Sequence, residues 1–384
     1  MLKPVPTRLP RHDFALLPLL CLLTMVALVG IAEIGTRLAY PERKEDSCTR
    51  PDATLGYRFV PSCTSRTKAA EGPWVTNHYN ECGYRTAQPC GPAPSGARRV
   101  AVVGSSISAG YLVPYENSIA NLTAERLQGE CDAPVEFQNL GGIGYIWSKV
   151  YARMDEALAL RPLAVMMMVI PFDLEQTVDT PAPAAPGAPA LKLDAVATTG
   201  VMAELHRVIG SSRAFAVAQH FLFQNVPFYT NLYLRYGDKA DFLRPPFPPS
   251  WQHRFHDFDV LMAGIAAKAH AAGVPFIIAT VPQRAQAALV AAHGQLPPGI
   301  DPMAFDREIA AIAARHGIDD IDVTPDFARQ PNPAADYYYA VDGHINALGS
   351  RLVAQAIARR FVSDVPAFNA CTTKTAERQG APAL

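Results

Sequence analysis

From residue 98 onward, hydrophobic and polar positions fall into blocks that switch between two periods. Residues 100–103, Val-Ala-Val-Val, form a short unbroken apolar run, the pattern of a strand covered on both faces by helices. Four more candidate strands follow, at residues 135–140, 164–170, 274–281 and 318–323, of which 164–170 is apolar throughout. Met166 to Met168 therefore read as buried strand and not as a metal-binding methionine cluster. Around the runs the apolar positions take helical spacing, over residues 118–127, 147–160, 255–271, 304–316 and 347–361, while residues 199–235 read as largely helical. Strands alternating with helices predict an α/β fold of three layers, with about five parallel strands between two layers of helices. Two stretches interrupt the alternation. The proline and alanine run at residues 180–190 and the proline-rich segment 244–250 suit neither a helix nor a central strand, and are expected on the surface.

The amino-terminal part reads differently. Residues 14–32 are nineteen uncharged, mostly apolar positions. As a helix rising about 1.5 Å per residue they reach ~29 Å, close to the hydrocarbon thickness of a bilayer. Lys3, Arg8 and Arg11 precede the run, which places the amino terminus in the cytoplasm and the bulk of the chain outside. The competing reading is a cleaved signal peptide, for which Gly30-Ile31-Ala32 offers a small-residue cleavage site. Cys21 follows Leu20 and not a small residue, so it makes a poor lipoprotein site. The expected organisation is a cytoplasmic tail and transmembrane signal anchor at 1–40, a cysteine-containing irregular lobe at 41–97, the α/β domain at 98–365 and a carboxyl-terminal tail at 366–384.

At 384 residues and 49% hydrophobic content the chain can bury a substantial core, and a formal net charge of -1 gives no footprint for nucleic acid. Beyond the anchor lie six cysteines, Cys48, Cys63, Cys82, Cys90, Cys131 and Cys371. In an exported chain that even number is compatible with three disulfides in any of fifteen pairings, among which spacing does not choose. The pairing expected here is Cys48 with Cys63, Cys82 with Cys90, and Cys131 with Cys371. Zinc is the competing use of clustered cysteines, but no C-x-x-C pair occurs. His253 and His256, at i and i+3, have no evident third metal ligand, and they and His220 read as helix-face or loop residues.

Candidate chemistry starts where the first apolar run stops. Gly104 breaks it, and Ser105 and Ser106 then stand at the carboxyl end of a buried strand, where open α/β sheets bind ligands. An ordinary strand-to-helix turn is the plain alternative. No lysine follows the glycines, so this is no P-loop, and the spacing is not the G-x-G-x-x-G of dinucleotide binders. Far downstream, residues 342–349 read D-G-H-I-N-A-L-G and supply Asp342 and His344 just ahead of a helix. Serine, histidine and carboxylate are the parts of an activated hydroxyl nucleophile, although His344 could also cap that helix and Asp173 a turn.

With these residues placed, the chain resembles the SGNH, or GDSL, hydrolases over roughly residues 75–365. Val75-Thr76-Asn77 and the segment from Asn80 to Arg85 are similar to the stretch that precedes the family's first strand. Gly104-Ser105-Ser106 with Gly110 takes the place of the family's G-D-S, so the resemblance implies Ser106 as nucleophile, with Ser105 in place of the usual aspartate. Asn139-Leu140-Gly141-Gly142-Ile143-Gly144 is the second block, and implies that Gly144 shares the oxyanion hole with the backbone N–H of Ser106. The third block, normally G-x-N-D, reads Ile170-Pro171-Phe172-Asp173, with Phe172 where an asparagine donor is expected. One such donor is worth about 2.7 to 4 kcal/mol in the transition state. Asn117 and Gln138 are candidates to replace it. The fourth block places His344 as general base and Asp342 as its orienting acid, in the D-x-H spacing of exported members linked to polysaccharide acylation.

The resemblance implies an SGNH-like, flavodoxin-like sandwich after the transmembrane helix, and a membrane-anchored exported serine esterase, deacetylase or O-acyltransferase working through an acyl-serine. It implies O-acetyl groups of an exported polysaccharide as substrate, export machinery as partner, no metal or organic cofactor, and a place on the outer side of the cytoplasmic membrane. The alternative is a catalytically degenerate glycan-binding or scaffold protein that keeps the fold.

Overall fold

The structure, a computed structural model, describes residues 13–40, 43–44, 47–69, 71–175, 210–292, 294 and 296–372. Lys3, Arg8 and Arg11, the run 180–190, the first part of the stretch 199–235 and the tail beyond Thr372 lie outside the described residues. The chain begins with α1 (Asp13–Ala39), whose segment from Phe14 onward is long and apolar enough to cross a membrane and is not buried against the rest of the chain. It runs past the predicted apolar stretch to take in Glu33 and Arg37.

The lobe that follows is more regular than expected. Strands β1 (Arg43–Lys44), β4 (Thr64–Lys68) and β5 (Val75–His78) form an antiparallel sheet, and β2 (Thr49–Asp52) pairs with β3 (Gly56–Phe59) as a hairpin. These strands carry mostly polar residues, Thr-Ser-Arg-Thr-Lys in β4 for example, where Ser65 is the one buried position. They leave no apolar run to read. All three expected disulfides are present, Cys48–Cys63 and Cys82–Cys90 within the lobe and Cys131–Cys371 across the main domain.

The five expected strands form one parallel sheet: β6 (Arg98–Val103), β7 (Val135–Asn139), β8 (Ala164–Val169), β9 (Phe276–Thr280) and β10 (Asp319–Asp322), in the order β10-β9-β8-β6-β7. Both faces are covered, which is why β8 and residues 100–103 of β6 are apolar throughout, while the edge strand β10 reads Asp-Asp-Ile-Asp and is only partly buried. Val100 and Val102 face one layer, built by α3 (Ile119–Glu130) and the last helix, described below; Ala101 and Val103 face the other. Between these elements lie α2 (Ser106–Ala109), α4 (Trp147–Ala159), α5 (Pro171–Glu175), α6 (Arg213–Phe223), α7 (Val226–Tyr233), α8 (Pro249–Ala271), α9 (Arg284–Val290) and α10 (Ala304–Arg315), and the chain returns to the first layer with α11 (Ala347–Asp364). Helices α4, α8 and α10 form the second layer through Met154, Phe258, Met262 and Phe305. Helix α8 starts six residues earlier than its periodicity predicts, because Pro249 suits a first turn, where no N–H is needed.

Cys131 ends α3 and Cys371 follows α11, so their bond ties the chain's return to the first layer across 240 residues. Replacing both with serine removes a cross-link whose loop-closure contribution is of order 2–5 kcal/mol. The expected outcome is a lowered denaturation midpoint with native circular dichroism before unfolding, and an unchanged midpoint would contradict this role.

Candidate active site

Gly104 ends β6 with φ of 129°, a conformation that suits glycine, and a Cβ there would run into Oγ of Ser108. The chain then turns at once into α2, with Ser106 in its first position and its N–H among the first-turn groups that have no helical acceptor. A helix was expected only from residue 118. Four residues are too few to leave a periodic pattern. Ser108 seats α2 on the sheet, its Oγ accepting the Met168 N–H at 3.2 Å, and Asn139 donates its side-chain amide to the Ser108 carbonyl at 2.9 Å.

The loop before α11 supplies the other half. Gly343, at φ 80°, lets Asp342 curl back so that one carboxylate oxygen accepts both the backbone N–H of His344, at 3.1 Å, and Nδ1, at 2.5 Å. A carboxylate only accepts, so Nδ1 carries the hydrogen and Nε2 is left as an acceptor. Oγ of Ser106 lies 2.8 Å from that nitrogen, across 238 residues of sequence. The structure therefore brings Ser106, His344 and Asp342 into one line of hydrogen bonds, with Ser106 buried and Asp342 at the solvent edge. The Tyr111 ring stands edge-on to His344 with centroids 5.0 Å apart.

The remaining sequence candidates surround this line. The Gly142 N–H donates to the Gly104 carbonyl at 3.0 Å, which sets the turn carrying Gly144 beside the end of β6. Gly144 itself is exposed, with nothing within 4 Å of where a Cβ would stand. Phe172 follows β8, partly exposed, and offers no hydrogen bond. Neither proposed replacement is brought to Ser106: Gln138 is buried with its amide donating to the Pro89 carbonyl at 2.9 Å, and Asn117 accepts from Arg351 at 3.4 Å. Asp173 is buried beneath the site, and burial pushes its carboxyl up to about 6, against the opposing influence of Ser105 and His344.

The lobe holds both halves in place. Arg85 is buried and donates to the carbonyls of Ala109, Gly110 and Val113, at 2.8, 3.0 and 2.7 Å, along the backbone that follows Ser106. Burial lowers its pKa to about 10, so it stays charged at neutral pH. Glu71 does the same for the base loop. One of its oxygens accepts the N–H groups of Val341 and Asp342 at 2.8 and 2.7 Å, and the other faces Nδ1 of His220 at 2.6 Å. Arg284 adds bonds to the carbonyls of Ala334 and Ala340, and the Tyr339 hydroxyl donates to the Leu112 carbonyl at 3.0 Å, joining the two loops. Sequence reasoning missed Glu71, Arg284 and Tyr339, whose partners are distant backbone groups that leave no spacing signal, and read His220 only as a helix-face residue. Arg85 alone had a signal, as the last residue of the segment similar to the family.

Residues 250–383 match the family model described as SGNH hydrolase-like domain, acetyltransferase AlgX. That match includes Asp342 and His344 and stops short of Ser106, which the fold brings to them. Over that carboxyl-terminal stretch the chain is SGNH-type. No curated protein matches its sequence at the level required. Among solved structures, the SGNH-type chain is similar to a member of the lipolytic protein G-D-S-L family from Veillonella parvula DSM 2008, at 14% identity and TM-score 0.37, covering 69% of this chain and 98% of that one. It is also similar to the psychrotrophic esterase EstA from Pseudoalteromonas sp., at 12% identity and TM-score 0.37 over 69% and 97% of the two chains. An acetyl xylan esterase, AlAXEase, gives 16% identity and TM-score 0.36 over 67% and 97%. Likeness at that level is no guide to chemistry.

Glu71 touches neither Ser106 nor His344, so its effect passes through the loop. Glu71→Ala should lower kcat for ester cleavage by about ten- to a hundredfold with little change in KM, since a small displacement of a reacting group is costly. Glu71→Gln keeps an oxygen for the two N–H groups and should lose less. Equal rates in all three proteins would show that the clamp does not position the loop.

Proposed function

We propose that this protein is a membrane-anchored SGNH acyl-ester hydrolase or O-acetyltransferase that works outside the cytoplasmic membrane on O-acetyl groups of an exported polysaccharide. The observation that carries the reading is the Ser106–His344–Asp342 line, with Ser106 Oγ 2.8 Å from an imidazole nitrogen that is free to accept. Oγ attacks the acyl carbon as its proton passes to Nε2 of His344. Negative charge collects on the former carbonyl oxygen, which the N–H groups of Ser106 and Gly144 receive. Asp342 steadies the imidazolium. The tetrahedral adduct then collapses: the bond to the alcohol oxygen breaks, Nε2 returns the proton to that oxygen, and the acyl group stays on Ser106. Water or a sugar hydroxyl, deprotonated by His344, resolves the acyl-serine by hydrolysis or transfer.

The family model supports acyl esterase or acetyltransferase chemistry. The finer parts of the reading rest on other features. Three disulfides and α1 support export with retention at the membrane. A cavity of about 760 Å³ lies between the lobe and the loop after Ser106, lined by Tyr57, Phe59 and Tyr79 together with Thr67, Lys68 and Asn77. Aromatic faces beside hydroxyl, amide and ammonium groups suit a sugar chain, and Tyr111 at one wall reaches His344. Phe172, which cannot donate to an oxyanion, favours one second reading: a binding protein with little chemistry.

The test measures acetate release from acetylated polysaccharide and from p-nitrophenyl acetate by the full chain. Ser106→Ala and His344→Ala should each reduce the rate at least about a thousandfold, and Phe172→Asn should raise it on the order of tenfold by adding a donor. Glycan binding with identical background rates in all variants would favour the second reading.

A further inference from the structure

We infer that α6 and α7 form a membrane-contact face that lies on the outer leaflet of the bilayer beside the end of α1. The inference rests on the anchor reading proposed above. Helix α6 is bolted to the last turns of α1: the Glu33 carboxylate accepts the N–H groups of Arg213 and Ala214 at 3.0 and 2.9 Å and the Ser212 hydroxyl at 2.8 Å. Arg37 donates to the Ser211 carbonyl at 2.9 Å, and Arg213 Nε donates to the Tyr40 carbonyl at 2.6 Å. Roughly 30 Å of hydrocarbon takes about twenty helical residues, so a span entered at Phe14 leaves the bilayer close to Glu33. The start of α6 is therefore fixed at the level of the outer headgroups.

What α6 and α7 expose there is apolar. Phe215, Phe221, Leu222 and Phe228 are 44%, 62%, 52% and 45% exposed, close together in sequence and apart from the scattered apolar residues elsewhere on the surface. Phe215, Ala218 and Leu222 fall at i, i+3 and i+7, one stripe of α6. The opposite stripe, with Arg213, Ala216, Val217, His220 and Gln224, faces a cavity of about 680 Å³ that Glu71 and Asp342 also line, and Phe221 stands at its rim, so the outward face is carried by Phe215, Leu222 and Phe228. From Ala214 to Leu234 the sequence has no Asp, Glu, Lys or Arg, and an arginine stands on either side, Arg213 and Arg235. A surface helix meant for water carries charge on its outer face. Uncharged aromatic helices with basic ends are instead the pattern of segments that lie in the interface, and α6, with 11 residues, is too short to span. An interface of this kind would fix the tilt of the catalytic domain over the membrane, with His220 linking the same helix to the Glu71 clamp.

The full chain with Cys21→Ser, reconstituted in phosphatidylethanolamine–phosphatidylglycerol vesicles, provides the test. Nitroxides on single cysteines at Phe215→Cys and Leu222→Cys are compared with Leu28→Cys in α1 and with Glu125→Cys on α3, by their accessibility to oxygen and to a water-soluble nickel chelate. The expected result is oxygen-rich, nickel-poor labels at 215 and 222, resembling position 28 at a shallower depth. Labels at 215 and 222 that resemble position 125 while position 28 reads lipid would overturn the inference and leave the anchor standing. Labels immobilised and shielded from both reagents would also overturn it, assigning the face to a second copy of the chain. Water exposure at position 28 would remove the anchor reading, and the inference with it.

Discussion

The candidate site depends on one short contact, the 2.8 Å between the Ser106 hydroxyl and Nε2 of His344, which joins residues 238 positions apart. The parallel sheet brings their loops to the same edge but does not by itself hold two loops in hydrogen-bond register. The lobe does that with one buried cation and one carboxylate. Arg85 gathers the carbonyls behind the serine, and Glu71 gathers the N–H groups ahead of the histidine. Each charge meets backbone groups of the opposite polarity, the arrangement in which a buried charge is tolerated. The lobe is therefore part of the site's frame, and its two disulfides fix the segments on either side of Glu71.

Much of this was legible in sequence where the signal was local. The central strands were legible because a strand buried on both faces is mostly apolar, as in β8; the edge strands β7 and β10 carry acids and amides and were legible only from the alternation with helices. D-G-H was legible because glycine between acid and imidazole allows the tight turn that the two side chains need. Three disulfides were legible from the even cysteine count of an exported chain, but their pairing was not, since spacing does not choose among the fifteen possibilities and one bond spans 240 residues. The lobe's strands were not legible, since polar four- and five-residue segments pair through backbone groups that any sequence possesses. Glu71 and Arg284 were invisible for the same reason: each binds main chain 50 or more positions away, and main chain carries no residue code.

The departures from the family pattern share a neighbourhood. Ser105 and Phe172 flank buried Asp173, whose carboxyl burial has raised toward neutrality. Under the proposed function, Phe172 leaves out an amide that would meet an oxyanion, while Ser106, His344 and Asp342 stand in one hydrogen-bonded line. An acyl-serine can still form on such a site, at a lower rate, with backbone N–H groups alone receiving the charge.

The central claim is that His344 makes Ser106 a nucleophile. A serine-directed fluorophosphonate applied to the folded full chain, followed by peptide mapping, tests it without knowledge of the natural acceptor. The account predicts an adduct on Ser106 that forms far more slowly in His344→Ala. An adduct that forms at the same rate in His344→Ala, or none on Ser106 in folded protein, would contradict it.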